Sequence, residues 1–175
     1  DSSSSRGLGD VYKRQGQGFA IAMEGLDGGR INIATCSVGT AQRAIQDATA
    51  YVQERKQFDT AIADFQNTQF RLADMLTELV AARQMIRLAA SKLDNQDPQA
   101  TTYCAMAKRF ATDVGFTVCN DALQLLGGYG YIKEYPMERY VRDTRVHQIL
   151  EGTNEIMRVI VGRKLLMDGA LEVIQ

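Results

Sequence analysis

The chain has 175 residues, a net charge of −1 at pH 7 and no apolar run of about 18 residues, the length that spans a bilayer. This size allows one domain with a hydrophobic core, and the charge gives no electrostatic reason to expect nucleic acid or a membrane as partner. Three cysteines without a Cys-x-x-Cys pair and a single histidine indicate a reducing compartment and no metal site.

Residues 1–15 share no pattern with the rest of the chain. They are rich in serine, lack the apolar core of a signal peptide and show no sustained periodicity. We interpret them as a non-native or disordered leader, similar to a translated cloning adapter, and leave them out of the fold. The predicted domain covers residues 16–175, and no targeting segment is visible in it.

Apolar residues recur every three or four positions over most of this region, which is the spacing of a helix with one buried face. A short helix near Phe19 and a turn at residues 26–30 are predicted to precede the first long helix. Gly127 and Gly128 are predicted to end the third, since glycine suits a left-handed helix cap. The helices after the turn are predicted over residues 31–55, 67–93, 98–126, 136–143 and 153–167.

Leucine spacing predicts the core face of the second long helix. Asp97 is the predicted N-cap of the third long helix, and Pro98 is predicted to lie in its first turn. No segment alternates between apolar and polar residues as a half-buried strand does. The sequence therefore predicts an all-α fold, an antiparallel helical bundle of three long helices and a final one. In the second helix the positions expected to face the core are Leu72, Leu76, Leu79, Ile86, Ala90 and Leu93.

Glu151 lies in the segment Leu150-Glu151-Gly152-Thr153, between two predicted helices. Gly152 allows a sharp bend, and Thr153 is a good N-cap for the final helix. The Glu151 side chain would therefore leave the regular backbone just before a helix begins, where it can point into a cleft. Taken alone, such a residue is more often a solvated loop acid than a catalyst.

Longer motifs around this segment favour the catalytic interpretation. They are Leu-Leu-Gly-Gly-Tyr-Gly-Tyr at 125–131, Tyr-Val-Arg-Asp-Thr-Arg-Val-His-Gln at 140–148 and Leu-Glu-Gly-Thr at 150–153. Together they resemble the C-terminal signature of the acyl-CoA dehydrogenase flavoenzymes, and the resemblance runs from about Gly16 to Leu166. The segment Arg-Val-His-Gln-Ile-Leu-Glu-Gly-Thr-Asn-Glu is most similar to the isobutyryl-CoA dehydrogenase branch.

The resemblance implies α,β-dehydrogenation of a short or branched-chain acyl-CoA, with FAD as the hydride acceptor. Glu151 would be the catalytic base that removes the α-proton, a role that typically contributes about 10²–10⁴-fold to the rate. Leu150 stands where many straight-chain relatives carry an aromatic residue, and a smaller side chain there suits a branched acyl group. His147 is interpreted as structural.

The resemblance also implies two sets of binding residues. Without it, Asp27 and Arg30 would be interpreted as a local ion pair in a turn, Arg163 as part of a solvated helix face, and residues 127–130 as a helix stop. The implied FAD contacts are Arg55, Gln66, Gln124, Leu125, Leu126, Gly127, Gly128, Thr153 and Glu155. The implied acyl-CoA contacts are Asp27, Arg30, Gly152 and Arg163.

The family fold has an N-terminal helical domain, a middle β-domain and a C-terminal bundle, of which this chain carries only the last. We therefore expect a fragment that is inactive alone and that belongs to a homotetramer, a dimer of dimers, with electron-transfer flavoprotein as acceptor. The compartment would be the cytoplasm in a bacterium and the mitochondrial matrix in a eukaryote. Two alternatives stay open: a non-catalytic helical oligomerisation module, and acyl-CoA oxidase chemistry.

Overall fold

The computed structural model describes residues 16–168, so the expectations for residues 1–15 lie outside the described range. Three long helices, α1 to α3, are followed by three shorter ones, α4 to α6. The helices are α1 (Gly18–Glu54), α2 (Gln66–Asp94), α3 (Ala100–Leu126), α4 (Gly128–Tyr131), α5 (Met137–His147) and α6 (Asn154–Asp168). Strands β1 (Lys56–Gln57) and β2 (Thr60–Ala61) form an antiparallel hairpin between α1 and α2, followed by a 3₁₀ turn at Ile62–Asp64.

Helix α3 is the centre of the bundle and packs against α1, α2, α5 and α6. Small buried residues let its neighbours approach closely. A Cβ added to Gly115 would lie 2.8 Å from the Cβ of Ser37, so α1 and α3 nearly touch at this point. This arrangement confirms the predicted all-α bundle. No helix within residues 16–168 combines the length and the apolarity that a membrane crossing requires.

The predicted turn at residues 26–30 is wrong, because α1 runs through this segment without a break. Each glycine in a helix costs about 1 kcal/mol relative to alanine, which is why the sequence suggests a turn. Tertiary contacts outweigh that cost. Asp27 and Arg30 are buried and form the predicted ion pair, with 2.7 Å between Arg30 Nη1 and Asp27 Oδ1. Thr101, from α3, donates its hydroxyl hydrogen to Asp27 Oδ2 at 2.6 Å.

The predicted core face of α2 is partly wrong. Leu79 and Ile86 are buried as expected, but 54% of Leu76 is exposed. The buried face is shifted by about one position from the predicted one, although Leu72 and Leu93 are half-buried against the core as expected. The other buried apolar residues of α2 are Met75, Ala82 and Ala89. Leucine spacing alone could not separate this face from the exposed one, which carries apolar residues of its own.

Two connections differ from the prediction in detail. The β1–β2 hairpin turns at Phe58 and Asp59, which have φ of 53° and 60°. Asn-Gly is the usual sequence for such a turn, so the sequence gives no indication of this hairpin. Helix α3 begins at Ala100, and Asp97 caps the turn before it by accepting the backbone N–H of Gln99 at 2.8 Å.

Candidate active site

Glu151 and Gly152 form the tight turn between α5 and α6. Both residues have positive φ, 55° for Glu151 and 86° for Gly152. Glycine adopts this conformation freely, whereas a side chain with a Cβ is strained in it. The predicted bend at Gly152 is therefore present but begins one residue earlier, at Glu151 itself. Surrounding contacts must hold the strained glutamate in place.

The start of α6 provides part of that support. Thr153 is the predicted N-cap, and its Oγ1 accepts the backbone N–H of Ile156 at 3.4 Å. The backbone N–H of Asn154 donates to the carbonyl of Gln148 at 3.0 Å, which closes the turn across its base. Asn154 is also buried and donates its side-chain amide to Asp113 Oδ1 at 2.7 Å. The turn is thereby tied to α3.

Lys108 of α3 supplies a second tie, which sequence reasoning missed. The side chain is fully buried, and its Nζ donates to the carbonyl oxygen of Gly152 and to Oδ1 of Asn154, both at 2.8 Å. Burial lowers the pKa of Lys108 to about 8, although Asp113, Glu155 and Glu151 lie close enough to oppose part of that effect. The sequence offered one indication of this role: Lys108 follows Ala107, which was expected on the buried face of the third long helix.

The Glu151 carboxylate lies against α1 at Gly29. A Cβ built on Gly29 would clash with Oε2 of Glu151, so a larger residue there would displace the carboxylate from this position. Asp27 and Arg30 belong to the same stretch of helix. Arg30 is buried, and its Nε donates to no acceptor among residues 16–168. The structure thus places Glu151 against the stretch of α1 that carries Asp27 and Arg30.

A second candidate site lies where α1 and α3 end. A cavity of about 560 Å³ is bordered by Arg55 and by residues 124–128, which the resemblance implies as FAD contacts. Gly127 has φ of 59° and ψ of −135°, a conformation that favours glycine, and it ends α3 at the cavity wall. The remaining lining residues are Tyr51, Gln57, Ile62, Tyr129 and Ile132.

The cavity suits an anionic group with a planar ring system. The guanidinium carbon of Arg55 lies 5.5 Å from the ring centroid of Tyr129, and Arg55 is exposed at the rim. Tyr129 also packs edge-on to Tyr135, with 5.5 Å between the ring centroids. Arginine binds phosphates through paired charge-assisted hydrogen bonds, and a bare glycine backbone lets amides approach them. These residues therefore fit part of a dinucleotide.

Four predicted contact residues lie elsewhere. Gln66 is the exposed first residue of α2, and Arg163 is exposed on α6. Thr153 and Glu155 line a smaller cleft of about 170 Å³. Hydrogen bonds from its own backbone amide and from Thr153 hold the pKa of Glu155 below its ordinary value. The implied FAD contacts therefore fall into separate places on this chain.

Two further observations concern the single histidine and the question of a metal ion. Nδ1 of His147 lies 2.7 Å from the Ser37 hydroxyl, and burial lowers the pKa of His147, which fits a structural role. Residues 16–168 contain no cluster of three or more His, Cys, Asp or Glu side chains placed to hold a metal ion.

Comparison with known proteins places these features in one family. A family model described as the C-terminal domain of acyl-CoA dehydrogenase matches residues 16–166. The chain is 54% identical over 161 residues to mitochondrial isobutyryl-CoA dehydrogenase of Dictyostelium discoideum, a match that covers 92% of this chain and 39% of that protein. It is 55% identical over 154 residues to the Bos taurus enzyme of the same name, covering 88% of this chain and 37% of that protein.

The fold agrees with this assignment. The solved structure of butyryl-CoA dehydrogenase from Megasphaera elsdenii matches with a TM-score of 0.84 at 44% identity, over 86% of this chain and 39% of that one. The chain thus spans less than half the length of the relatives that it matches. It belongs to the acyl-CoA dehydrogenase family and corresponds to the family's C-terminal domain.

Proposed function

We propose that this chain is the base-carrying C-terminal part of an FAD-dependent acyl-CoA dehydrogenase that acts on a short or branched-chain acyl-CoA such as isobutyryl-CoA. The observation that carries the proposal is the strained turn that holds the Glu151 carboxylate against Gly29, beside the buried pair of Asp27 and Arg30. Family membership and the likeness to two isobutyryl-CoA dehydrogenases support the substrate class.

Glu151 would act as the general base. Its carboxylate takes the proton from the carbon next to the thioester carbonyl, and the electron pair of that C–H bond becomes the α,β double bond. The β-carbon loses a hydride at the same time, so the acyl group is oxidised by two electrons. Bound FAD would supply the hydride acceptor for this reaction. Glu151 is left protonated and must lose that proton before the next turnover.

The acyl-CoA would pass along the stretch of α1 that faces Glu151. Arg30 supports this path because its Nε lacks an acceptor among the described residues while its Nη1 is bound to Asp27. A buried donor without a partner is costly, so a ligand atom at that position would stabilise the site. Gly152 would contribute backbone close to the thioester. Arg163 stays a predicted contact with the more distant part of CoA.

The cavity at Arg55 would bind FAD from a neighbouring copy. Gly29 lies in α1 and Arg55 directly follows its last residue, so the two are roughly 40 Å apart at about 1.5 Å per residue. One FAD cannot take its hydride at the first point and place its pyrophosphate at the second. Arg55 and residues 124–128 would therefore complete the flavin site of another subunit. We accordingly propose a homotetramer, built as a dimer of dimers, in which Gln66, Thr153 and Glu155 are further FAD contacts.

A non-catalytic association module is the second candidate. The exposed apolar residues of α2, Leu76, Val80 and Leu88, favour it because such a stripe suits a helix–helix interface. Association does not require a strained glutamate or a cavity bordered by glycine and arginine. We therefore prefer the enzyme, with association as one property of it.

The test is anaerobic titration of the source reading frame, extended upstream to its start codon and purified with its flavin. Isobutyryl-CoA should bleach the flavin rapidly, and Glu151→Gln should keep the flavin and the fold while slowing bleaching about 10²–10⁴-fold. A longer protein without flavin would favour the association module. Bleaching by straight-chain thioesters alone would keep the family and overturn the branched-chain substrate.

Re-oxidation then identifies the electron acceptor. We propose electron-transfer flavoprotein, and the reduced enzyme should pass its electrons to that protein much faster than to oxygen. Fast re-oxidation by oxygen, with hydrogen peroxide formed, would show acyl-CoA oxidase chemistry instead.

A further inference from the structure

We infer that Lys108 is a positioning residue for Glu151. From α3, it holds in place the strained turn that directs the carboxylate of the base. The inference rests on the proposed function, since it concerns how the same base is kept in place. It assigns a role to a fully buried lysine that the reaction itself does not use.

The geometry joins Lys108 to both sides of the turn. Its Nζ donates to the carbonyl oxygen of Gly152, the residue next to the base, and to Oδ1 of Asn154, the first residue of α6. Lys108 is 44 residues from Gly152 in sequence, so this is a tertiary clamp and not a local cap. One ammonium group thus fixes the Gly152–Thr153 peptide, directly after the base, relative to α3, the central helix of the bundle.

The clamp is needed because the turn is strained. Glu151 has φ of 55°, and a non-glycine residue relaxes from this region toward negative φ unless its surroundings prevent it. Such a relaxation would swing the carboxylate away from Gly29. Of the remaining ties, those from Thr153 to Ile156 and from Asn154 to Gln148 act within the turn and the start of α6, and the Asn154 amide joins the start of α6 to Asp113 of α3. They do not fix the Gly152 carbonyl to the bundle.

A lysine at this depth is unfavourable for folding, which argues for a role beyond packing. Its two partners are neutral oxygens, a carbonyl and an amide, so they only partly compensate the buried charge. Burial accordingly lowers its pKa to about 8. A methionine would fill similar space without a buried charge, but it would leave the Gly152 carbonyl without its donor.

The experiment compares Lys108→Met with wild type in the extended, flavin-loaded protein. We expect the flavin-reduction rate to fall about 10- to 100-fold, because a shift of about 1 Å in a catalytic group can cost that much. The Kd for acyl-CoA and the flavin content should change less than about threefold. Thr144→Val is the matched control: it removes a fully buried hydroxyl from α5, away from the turn, and should keep the wild-type rate.

A double variant separates positioning from general destabilisation. If Lys108 acts through Glu151, adding Lys108→Met to Glu151→Gln should slow reduction little further. Multiplying losses would show that Lys108 acts independently of the base and would overturn the inference. Hydrogen exchange at the Asn154 amide should also accelerate at least about tenfold in Lys108→Met, beyond any change in Thr144→Val. Lys108→Gln, which keeps a neutral donor, should lie between wild type and Lys108→Met and serves if the methionine variant does not fold.

The outcomes distinguish this inference from the proposed function. Wild-type protein that binds no flavin, or whose flavin is bleached by none of the acyl-CoA substrates tested, would overturn both. Bleaching that Glu151→Gln abolishes but that Lys108→Met and Lys108→Gln leave at the wild-type rate would uphold the function and overturn only the role of Lys108.

Discussion

Two regions along helix α1, one around Gly29 and one at its C-terminal end beside Arg55, differ in how far this chain completes them. At Gly29, Glu151 lies against the stretch of α1 that carries the buried ion pair of Asp27 and Arg30, and α3 holds the strained turn in place. At the Arg55 end, an exposed arginine and a bare glycine border an open cavity. In the first region, the residues of this chain alone hold the Glu151 carboxylate in place. The second has the character of a surface that another molecule completes.

The largest expected effect concerns the first region and is the pH dependence of stability that the buried Lys108 causes. Lys108 has a pKa of about 8 in the folded chain, against an ordinary value of 10.5. Between these values the unfolded chain holds a proton that the folded chain has lost, so the free energy of unfolding should rise with pH, by at most about 3 kcal/mol.

Chemical denaturation of the 175-residue chain at pH 8 and pH 10 measures this rise. Other groups titrate in the same range, so the informative quantity is the difference between wild type and Lys108→Met, which should lack the Lys108 contribution. Equal pH dependence in the two proteins would contradict the prediction.

The next effect tests the contact between Glu151 and α1. Gly29→Ala places a Cβ against the carboxylate, so the base must shift, and flavin reduction in the extended protein should slow about 100-fold. Gly28→Ala is the matched control. Apart from the adjoining backbone of α1, no atom of the described residues lies within 4 Å of the Cβ that it adds, so the rate should stay unchanged and helix stability should rise by up to about 1 kcal/mol. Equal rates in both variants would show that Glu151 does not work from this position.

The smallest effect tests the open end. Arg55→Gln should raise the Kd for FAD about tenfold, since it removes one charge-assisted contact, while flavin that stays bound should still be reduced at the wild-type rate. Lys56→Gln removes the same charge at the next residue, outside the cavity lining, and should leave FAD affinity unchanged. A slower reduction rate with unchanged FAD affinity would mean that Arg55 belongs to the reaction site instead.

The sequence allowed the helices to be predicted better than their relation to one another. Periodicity located the long helices because their buried faces repeat every three or four residues. The turn assigned to residues 26–30 failed because Thr101, 74 residues from Asp27, helps to bury the ion pair there. Local propensity carries no information about such a contact. The prediction that Leu76 faces the core failed for the same reason, because leucine spacing does not show which face of α2 meets the other helices.

The site divides in the same way. The resemblance placed Arg55 and residues 124–128 together, and the structure puts them around one cavity. It did not indicate that Glu151 lies against Gly29, or that Lys108 supports the turn. Both contacts join segments that are remote in sequence, so neither spacing nor motif could reveal them.

The left-handed backbone of Glu151 sets stability against activity at a single residue. Asparagine and aspartate tolerate this conformation better than glutamate, and glycine tolerates it best. Replacing Glu151 with glycine should therefore make the bundle harder to melt while removing the base. A selection for thermal stability alone would tend to discard the catalytic residue, and a selection for turnover would retain a turn that the fold does not favour.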